Sequence, residues 1–301
     1  MKILVIGSGG REHAIVRALK KSPRATDIYV LPGNGGISAD AVCVPGSATD
    51  VAGAVDFARE IGADFAVVTP DDPLCLGMAD ALEHIGVPVF GPSKAAAQIE
   101  GSKVFAKGLM RKYGIPTAAC EVFDDFEAAL AYVDAAPLPI VVKADGLALG
   151  KGVTVAQTRE EARSAVRAAM CERVFGESGA RLVIEEYLEG PEVSVLSFTD
   201  GHTLVPMVSS MDHKRAHDGD TGLNTGGMGT IAPNPAYTDE VAAKAMDRIF
   251  LPTIRAMNAE GRTFRGCLYF GLMVVDGDPY VIEYNCRFGD PETQVVLPMM
   301  E

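Results

Sequence analysis

The sequence predicts an α/β protein in which a doubly wound parallel-sheet domain is followed by an α+β domain. Over residues 1–100, short apolar runs alternate with amphipathic helical segments, which is the pattern of a parallel sheet with helices on both faces. Farther along, apolar runs follow one another across glycine-rich turns, as in residues 140–156. We therefore expect domains at residues 1–100 and 101–301, the second divided into a small subdomain at 117–190 and a central subdomain at 191–301.

The composition is that of a folded protein that binds neither nucleic acid nor a membrane. A formal net charge of −13 argues against neutralising nucleic-acid phosphates, and no apolar run approaches the roughly 18 residues of a membrane span. The six cysteines are scattered without a C-x-x-C pair, which favours reduced thiols over a disulfide framework or a zinc site. We expect a cytoplasmic monomer.

The first predicted strand, residues 2–6, runs into a glycine loop that suits an anion. A dinucleotide site is not expected, because Glu12 stands where the fingerprint needs a third glycine and the second strand ends in Pro32 with no acidic residue for a ribose. What remains is a helix N-terminus beside Arg11 that can hold a phosphate or carboxylate, unless Arg11 is simply solvated. Three loops follow strands and should gather along one sheet edge: 7–12, 32–36 and 69–73.

Residues 141–152, V-V-K-A-D-G-L-A-L-G-K-G, read as a strand, a basic glycine loop and the start of a second strand. Glycines let backbone N–H groups approach an anion, and Lys143 and Lys151 add positive charge, so the loop suits phosphates. It is not a Walker A loop, because Gly152 stands where Ser or Thr would be required. The alternative is a mobile hairpin tip that binds nothing.

A strand ending in E-E-Y-L, residues 185–188, can offer extended backbone N–H and C=O groups to a flat heterocycle. Glu192, a few residues farther on, would then accept hydrogen bonds from ribose hydroxyls. The alternative is that these residues are ordinary surface acids.

The segment from residue 212 to residue 229 contains D-H-K-R and the glycine-dense run D-G-D-T-G-L-N-T-G-G-M-G. An EF-hand is discarded, because that loop needs glycine at its sixth position and glutamate at its twelfth, where Leu223 and Gly229 stand. Since three basic or imidazole side chains precede the glycines, the segment favours a lid or an anion clamp.

The last predicted strand delivers E-Y-N-C-R-F-G-D-P-E, residues 283–292. Strand alternation puts Glu283 and Asn285 on one face, where two oxygen ligands suit Mg²⁺ shared with nucleotide phosphates. Arg287 lies on the same face and can hold a carboxylate or phosphate through two parallel hydrogen bonds. The alternative is a structural Asp–Arg network at the strand end.

Together these motifs resemble the phosphoribosylamine–glycine ligase (GAR synthetase) family of the ATP-grasp superfamily, and they are distributed over essentially the whole chain. The shared motifs are G-G-R-E-H, P-G-N-x-G, G-S-K, V-V-K-A-D-G-L-A-x-G-K-G, D-H-K-R, N-T-G-G-M-G and N-C-R-F-G-D-P-E, in this order. The motifs D-H-K-R and N-T-G-G-M-G together distinguish this family from other ATP-grasp enzymes, which share only the nucleotide-binding motifs. The resemblance implies a pre-ATP-grasp domain followed by an ATP-grasp domain.

The resemblance further implies that the carboxylate of glycine attacks the γ-phosphate of ATP and that the amine of 5-phosphoribosylamine then attacks glycyl phosphate, giving GAR, ADP and phosphate. Such chemistry needs charge neutralisation and alignment more than general acids. Matched by motif, the residues that contact the ATP phosphates would be Lys103, Lys143, Gly150, Lys151 and Gly152. Adenine would contact Glu185, Glu186 and Leu188, and the ribose would contact Glu192. Mg²⁺ or Mn²⁺ would bind Glu283 and Asn285, while Asp212, Lys214 and Arg287 would position glycine and the transferring phosphoryl group. Phosphoribosylamine would face Gly9, Gly10, Arg11, Glu12, Asn34, Asn224, Thr225, Gly226, Gly227 and Met228.

Three departures from the family pattern accompany the resemblance. Residues 69–73 read T-P-D-D-P where relatives usually carry G-P-E-x-P, and residues 269–273 offer no second metal carboxylate. The family also continues for roughly another hundred residues, a typical domain size, so we expect this chain to lack a C-terminal domain. Two other functions stay open: another ATP-grasp carboxylate–amine ligase, and an ATP-binding fragment without catalysis.

Overall fold

The N-terminal part of the chain forms a parallel sheet of five strands with the order β3-β2-β1-β4-β5. In the computed structural model, which describes residues 1–148, 152–219 and 221–300, every neighbouring pair in this sheet is parallel, as predicted. The elements are β1 Lys2–Gly7, α1 Gly10–Leu19, β2 Asp27–Pro32, β3 Val42–Cys43, α2 Val51–Ile61, β4 Phe65–Val68, α3 Asp71–Leu76, α4 Met78–His84 and β5 Val89–Phe90.

The helices begin at polar caps, because the first N–H groups of a helix have no partner inside it. Asp50 accepts a hydrogen bond from the backbone of the first turn of α2, and Ser93 and Ser102 do the same for the next two helices. These two helices are α5 Lys94–Gly101 and α6 Lys103–Tyr113.

The small subdomain is an antiparallel sheet of four strands with the order β6-β9-β7-β8, which packs against two helices. The predicted hairpin is present, with Ile140 opposite Ala156 and Lys143 opposite Val153. This sheet has a core of its own, in which Val142 and Ile184 pack against Val166. The elements are β6 Cys120–Phe123, α7 Phe126–Ala135, β7 Ile140–Ala144, β8 Val153–Ala156, α8 Arg159–Met170 and β9 Leu182–Glu186.

The central subdomain is built on a second antiparallel sheet, with the order β11-β10-β16-β17. Its strands are β10 Glu192–Thr199, β11 Leu204–Pro206, β12 Met211–Asp212, β13 Arg215–His217, β14 Thr221–Asn224, β15 Thr230–Ile231, β16 Gly266–Val275 and β17 Asp278–Asn285. Its helices are α9 Asp239–Ala245, α10 Leu251–Ala259 and α11 Glu292–Val296. The sequence predicts one regular helix over residues 239–260, whereas a π-helical turn, Met246–Phe250, joins α9 to α10. Pro252, which has no N–H to donate, follows that turn.

The parallel sheet and the central sheet share one hydrophobic core. The same cluster of buried side chains contains Leu4 and Leu82 from the first domain and Phe250 and Phe270 from the central subdomain. A second contact joins Phe90 of β5 to Phe288, with ring centroids 5.7 Å apart. The carboxyl ends of the parallel strands therefore lie against the segment that follows β17. Among the described helices, none has the length and apolar character needed to cross a bilayer.

Candidate active site

Glu12 holds together the loops at the carboxyl edge of the parallel sheet. Its Oε2 accepts a 2.5 Å hydrogen bond from the N–H of Gly9, and its Oε1 accepts from Thr69 Oγ1 and Arg11 Nε, each at 2.7 Å. Although burial opposes its ionisation, the guanidinium of Arg11 and these hydrogen bonds hold the pKa of Glu12 below its ordinary value. The Glu12 carboxylate lies beneath the loop and not on the surface that a substrate would meet.

Arg11 and Asn34, both predicted to face substrate, also have their side chains engaged in the protein. Arg11 is buried and donates from Nη1 to the carbonyl of Phe288 at 3.0 Å. Asn34 donates to the carbonyl of Ser8, while its Oδ1 accepts from the two N–H groups at positions 36 and 37. These side chains fasten the loops, so the surface that remains for a ligand is mainly glycine backbone.

The glycines at the start of α1 lie close to the segment after β17. A Cβ added to Gly9 would lie 3.0 Å from Asp290 Oδ2, and one added to Gly10 would lie 2.8 Å from Gln294 Nε2. Larger side chains at these positions would therefore displace the side chains of Asp290 and Gln294.

A buried carboxylate between two buried lysines lies at the end of β9. Glu185 Oε2 is 3.0 Å from Lys143 Nζ and 3.1 Å from Lys107 Nζ, and Lys143 also donates to the carbonyl of Ile282 at 2.9 Å. Glu185 Oε1 is buried without a partner among the described residues. The sequence analysis predicted Lys143 and Glu185 as site residues but not Lys107. The position of Lys107 on the apolar face of α6 was the sequence feature that could have indicated its burial.

The base of the basic glycine loop is attached to the start of α6. Asp145 accepts hydrogen bonds from Ser102 Oγ at 2.9 Å and from the N–H of Val104 at 2.8 Å, and it pairs with Arg181. Lys103 donates from Nζ to the carbonyl of Gly146 at 3.0 Å, and burial lowers the pKa of Lys103. The loop contains three further predicted site residues. The carbonyl of Gly152 accepts from the N–H of Ala144. Gly150 and Lys151 lie outside the described residues.

The predicted adenine segment leaves the sheet where expected. Glu186, the last residue of β9, is exposed and accepts from the N–H of Ala119 at 2.8 Å. Leu188 lies beyond the paired part of the strand, so its backbone is not part of the sheet ladder. Glu192, at the start of β10, lies 3.3 Å from Lys214 Nζ.

Lys214 lies between the predicted ribose residue and the predicted metal strand. Its Nζ is 3.6 Å from Glu283 Oε1, and the carboxylate of Glu283 is the main reason that the pKa of Lys214 is raised. Lys214 in turn holds the pKa of Glu283 below its ordinary value. Asn285 and Glu283 pair with Tyr269 and Gly271 on β16, and a bulge follows Gly271. An ionised carboxylate and an amide two residues apart suit a hard divalent cation.

A second acidic group, Asp212, lies near enough to Glu292 and Lys214 for their charges to affect its pKa. Asp212 Oδ1 is buried without a partner in the part of the chain that is described, and burial together with Glu292 raises the pKa of Asp212 to about 6. Glu292 is itself buried, 3.2 Å from Tyr269 Oη and 3.4 Å from Ser194 Oγ. Glu292 was missed as a site residue by the sequence reasoning, which stopped at Arg287.

Arg287 is held by a residue that sequence reasoning did not single out. Its Nη2 donates to Glu100 Oε1 at 2.9 Å, and its Nε is buried without a partner among the described atoms. Although burial opposes its charge, Glu100 and Asp71 hold the pKa of Arg287 above its ordinary value. Arg287 therefore forms an ion pair at this strand end, and its partner is Glu100 instead of the aspartate that the alternative interpretation named.

The glycine-dense loop folds back on the D-H-K-R segment. Thr225 Oγ1 donates to the carbonyl of Lys214 at 2.8 Å and accepts from the N–H of Gly227 at 3.1 Å, across the intervening Gly226. Gly227 has a φ of +118° and lies against Pro291. Met228 is 63% exposed, and the side chain of Asn224 lies outside the described part of the chain.

A parallel-sheet domain, a small antiparallel subdomain with a basic glycine loop, and a central antiparallel sheet carrying Glu283 and Asn285 define an ATP-grasp protein. Among the described residues, no cluster of three or more His, Cys, Asp and Glu side chains could hold a metal.

Comparison with known sequences agrees with this class and refines it. The N domain of phosphoribosylglycinamide synthetase matches residues 1–100, and the ATP-grasp (A) domain of phosphoribosylglycinamide synthetase matches residues 101–293. The chain belongs to the phosphoribosylglycinamide synthetase family.

Individual relatives match along the whole chain. It is 50% identical to the phosphoribosylamine–glycine ligase of Yersinia pestis and 52% identical to that of Halalkalibacterium halodurans, covering 71% and 70% of their lengths. The crystal structure of phosphoribosylamine–glycine ligase from Thermotoga maritima superposes with a TM-score of 0.86 at 35% identity, over 99% of this chain and 72% of that one. The biotin carboxylase domain of the Hydrogenobacter thermophilus 2-oxoglutarate carboxylase, at 19% identity and a TM-score of 0.72 over 97% of this chain and 65% of that one, shares the fold alone.

Proposed function

We propose that this chain joins glycine to 5-phosphoribosylamine at the expense of ATP, as a phosphoribosylamine–glycine ligase. The observation that carries the proposal is the position of Lys214. This lysine belongs to the D-H-K-R motif that distinguishes the family, and its Nζ lies 3.3 Å from Glu192 and 3.6 Å from Glu283. A family-specific residue thus meets the nucleotide and metal residues that ATP-grasp enzymes share.

The proposed reaction has two steps. A carboxylate oxygen of glycine forms a bond to the γ-phosphorus of ATP, and the bond from that phosphorus to the β-bridging oxygen breaks, which releases ADP and leaves glycyl phosphate. The amine of 5-phosphoribosylamine then forms a C–N bond at the acyl carbon, phosphate leaves with the C–O bond electrons, and the amine loses a proton. Charge neutralisation and alignment carry both steps.

Residues of the small subdomain would bind the nucleotide. Lys143 and Lys103 bring ammonium groups from two different elements to the base of the glycine loop, where they would contact the ATP phosphates. Glu185 Oε1, which has no partner within residues 1–148, 152–219 and 221–300, suits the exocyclic amine of adenine, and the backbone of Leu188 would bind the ring edge. Glu192 would accept from the ribose hydroxyls. Gly150 and Lys151 would also contact the phosphates, an assignment that rests on the sequence motif alone.

Glu283 and Asn285 would hold Mg²⁺ or Mn²⁺. The fit rests on the chemistry of the donors, since Lys214 keeps Glu283 ionised while the amide of Asn285 supplies a neutral oxygen. When bound, the cation neutralises charge on the phosphate oxygens.

The acceptor side of the site would be formed by Arg287, Asp212 and Lys214. Arg287 would bind the glycine carboxylate, and Asp212 Oδ1, to which no described residue donates, would accept from the ammonium group of glycine. Phosphoribosylamine would meet the backbone of Gly9 and Gly10 and the loop of residues 225–228, which approach each other across residues 290–294.

The test is a coupled ADP-release assay in which each substrate is omitted in turn. ADP release that requires both glycine and phosphoribosylamine, with GAR as the product, is expected. Release with a different carboxylate or amine would select another ATP-grasp ligase, and ATP binding without turnover would select a nucleotide-binding fragment. Either result would overturn the proposal.

A further inference from the structure

Glu100, near the end of α5, is a buried acid that connects the first domain to the segment after β17. Its side chain is 6% exposed. One carboxylate oxygen, Oε1, accepts from Arg287 Nη2 at 2.9 Å, and the other, Oε2, accepts from the N–H of Cys286 at 2.7 Å. A single side chain therefore fixes both the guanidinium of Arg287 and the backbone just before it.

The position of that backbone bond matters because Cys286 lies between Asn285 and Arg287. Cys286 is fully buried, so its N–H has no access to water and depends on Glu100 for its partner. Movement of this peptide would displace both the proposed metal ligand and the proposed carboxylate-binding guanidinium.

A second residue of the first domain restrains the same segment. Arg11 donates to the carbonyl of Phe288 at 3.0 Å, and Arg287 itself donates to that carbonyl at 3.3 Å. The backbone on both sides of Arg287 is thus held from outside the central sheet, while its Nε is buried without a partner in the described part of the chain.

We propose that Glu100 is a positioning residue that orients Arg287 toward the carboxylate of the amino-acid substrate, an inference that rests on the proposed function. An arginine side chain loses considerable rotamer entropy when it is ordered, and Glu100 orders it before the substrate arrives. Loss of this carboxylate leaves Arg287 charged, with its 3.3 Å hydrogen bond to the carbonyl of Phe288 as a weaker restraint on its rotamer. Binding of the amino acid should weaken, while binding of ATP in the absence of a divalent cation, which then depends on the small subdomain, should not.

The variant Glu100→Gln tests this inference, because glutamine keeps the shape but retains only one acceptor oxygen for two donors. We expect the KM for glycine to rise about 10-fold or more, with the Kd for ATP, measured by calorimetry without a divalent cation, within about twofold of wild type. In an Arg287→Ala background, Glu100→Gln should add little further loss, since the two residues act as one unit.

Ile99→Val, a buried change on the same helix, is the matched control for simple destabilisation. It should lower Tm without changing the KM for glycine. If Glu100→Gln does not fold, Glu100→Asp, which keeps the charge but withdraws both oxygens, should show the same glycine-selective loss.

Three results would overturn the role of Glu100: an unchanged KM for glycine, an equal loss of ATP affinity, or full additivity with Arg287→Ala. Wild-type turnover that does not depend on glycine would instead overturn the proposed function and this inference with it. If wild-type turnover depends on glycine and the Glu100→Gln variant has the wild-type KM for glycine, only the positioning role of Glu100 would be refuted.

Discussion

Replacement of Lys143 by methionine should weaken ATP binding without unfolding the small subdomain. An ammonium group has three N–H donors, and the contacts with Ile282 O at 2.9 Å and Glu185 Oε2 at 3.0 Å use two of them. The third is then available for a phosphate oxygen. A charge-assisted hydrogen bond contributes about 1.5–3 kcal/mol, so the Kd for ATP should rise about 10- to 150-fold.

Methionine is chosen because it keeps most of the buried stem, and because Glu185 still has Lys107 at 3.1 Å as a partner. ATP affinity is measured by isothermal titration calorimetry alongside Tm. The same substitution at Lys112, an exposed lysine that pairs with Glu260, is the control and should leave ATP affinity unchanged. A Kd for Lys143→Met within about twofold of wild type, at an unchanged Tm, would refute the assignment of Lys143 to the phosphates.

Two further predictions concern the acceptor side of the site. Because the pKa of Asp212 is raised to about 6, the folded protein binds a proton there more tightly than the unfolded chain, and this contribution to stability is lost as pH rises through that value. Asp212→Asn should therefore be more stable than wild type at pH 7 but not near pH 4 in denaturant titrations without substrates; the reverse order would contradict this. Gly227→Ala would place a Cβ 2.4 Å from the Pro291 ring at a positive φ, and should destabilise the loop by about 1–3 kcal/mol and raise the KM for phosphoribosylamine. Gly229→Ala, which meets open space, is its control, and equal KM values for the two variants would count against the loop assignment.

The parts of the fold that the sequence predicted are those specified locally. Alternating apolar runs and helices predicted the parallel sheet, and the apolar runs on both sides of the basic loop predicted the hairpin of β7 and β8. Glu283 and Asn285 were placed on β17 by strand alternation, and the strand forms there. Each of these inferences needs only neighbours within about ten residues, as periodicity arguments do.

Residues whose partners are distant along the chain were not predictable in this way. Glu100 and Arg287 are separated by 187 positions, and no local pattern indicates that their side chains meet. Lys107 lies on the buried face of α6, but no local pattern identifies Glu185 as its partner. Glu12 and Asn34 were expected to face phosphoribosylamine because they match family motifs. Buried loop N–H groups also need acceptors, and these two side chains supply them.

The core shared by the two sheets has a consequence for dividing this chain into fragments. The two matched domains of the family meet between residues 100 and 101. Leu4 from the first and Phe270 from the second nevertheless belong to one continuous apolar cluster. Expression of residues 1–100 alone would expose that apolar surface to water and favour aggregation. The small subdomain has a core of its own around Val142. It is therefore the part of the chain that could be replaced, in evolution or by design, with the equivalent subdomain of a relative.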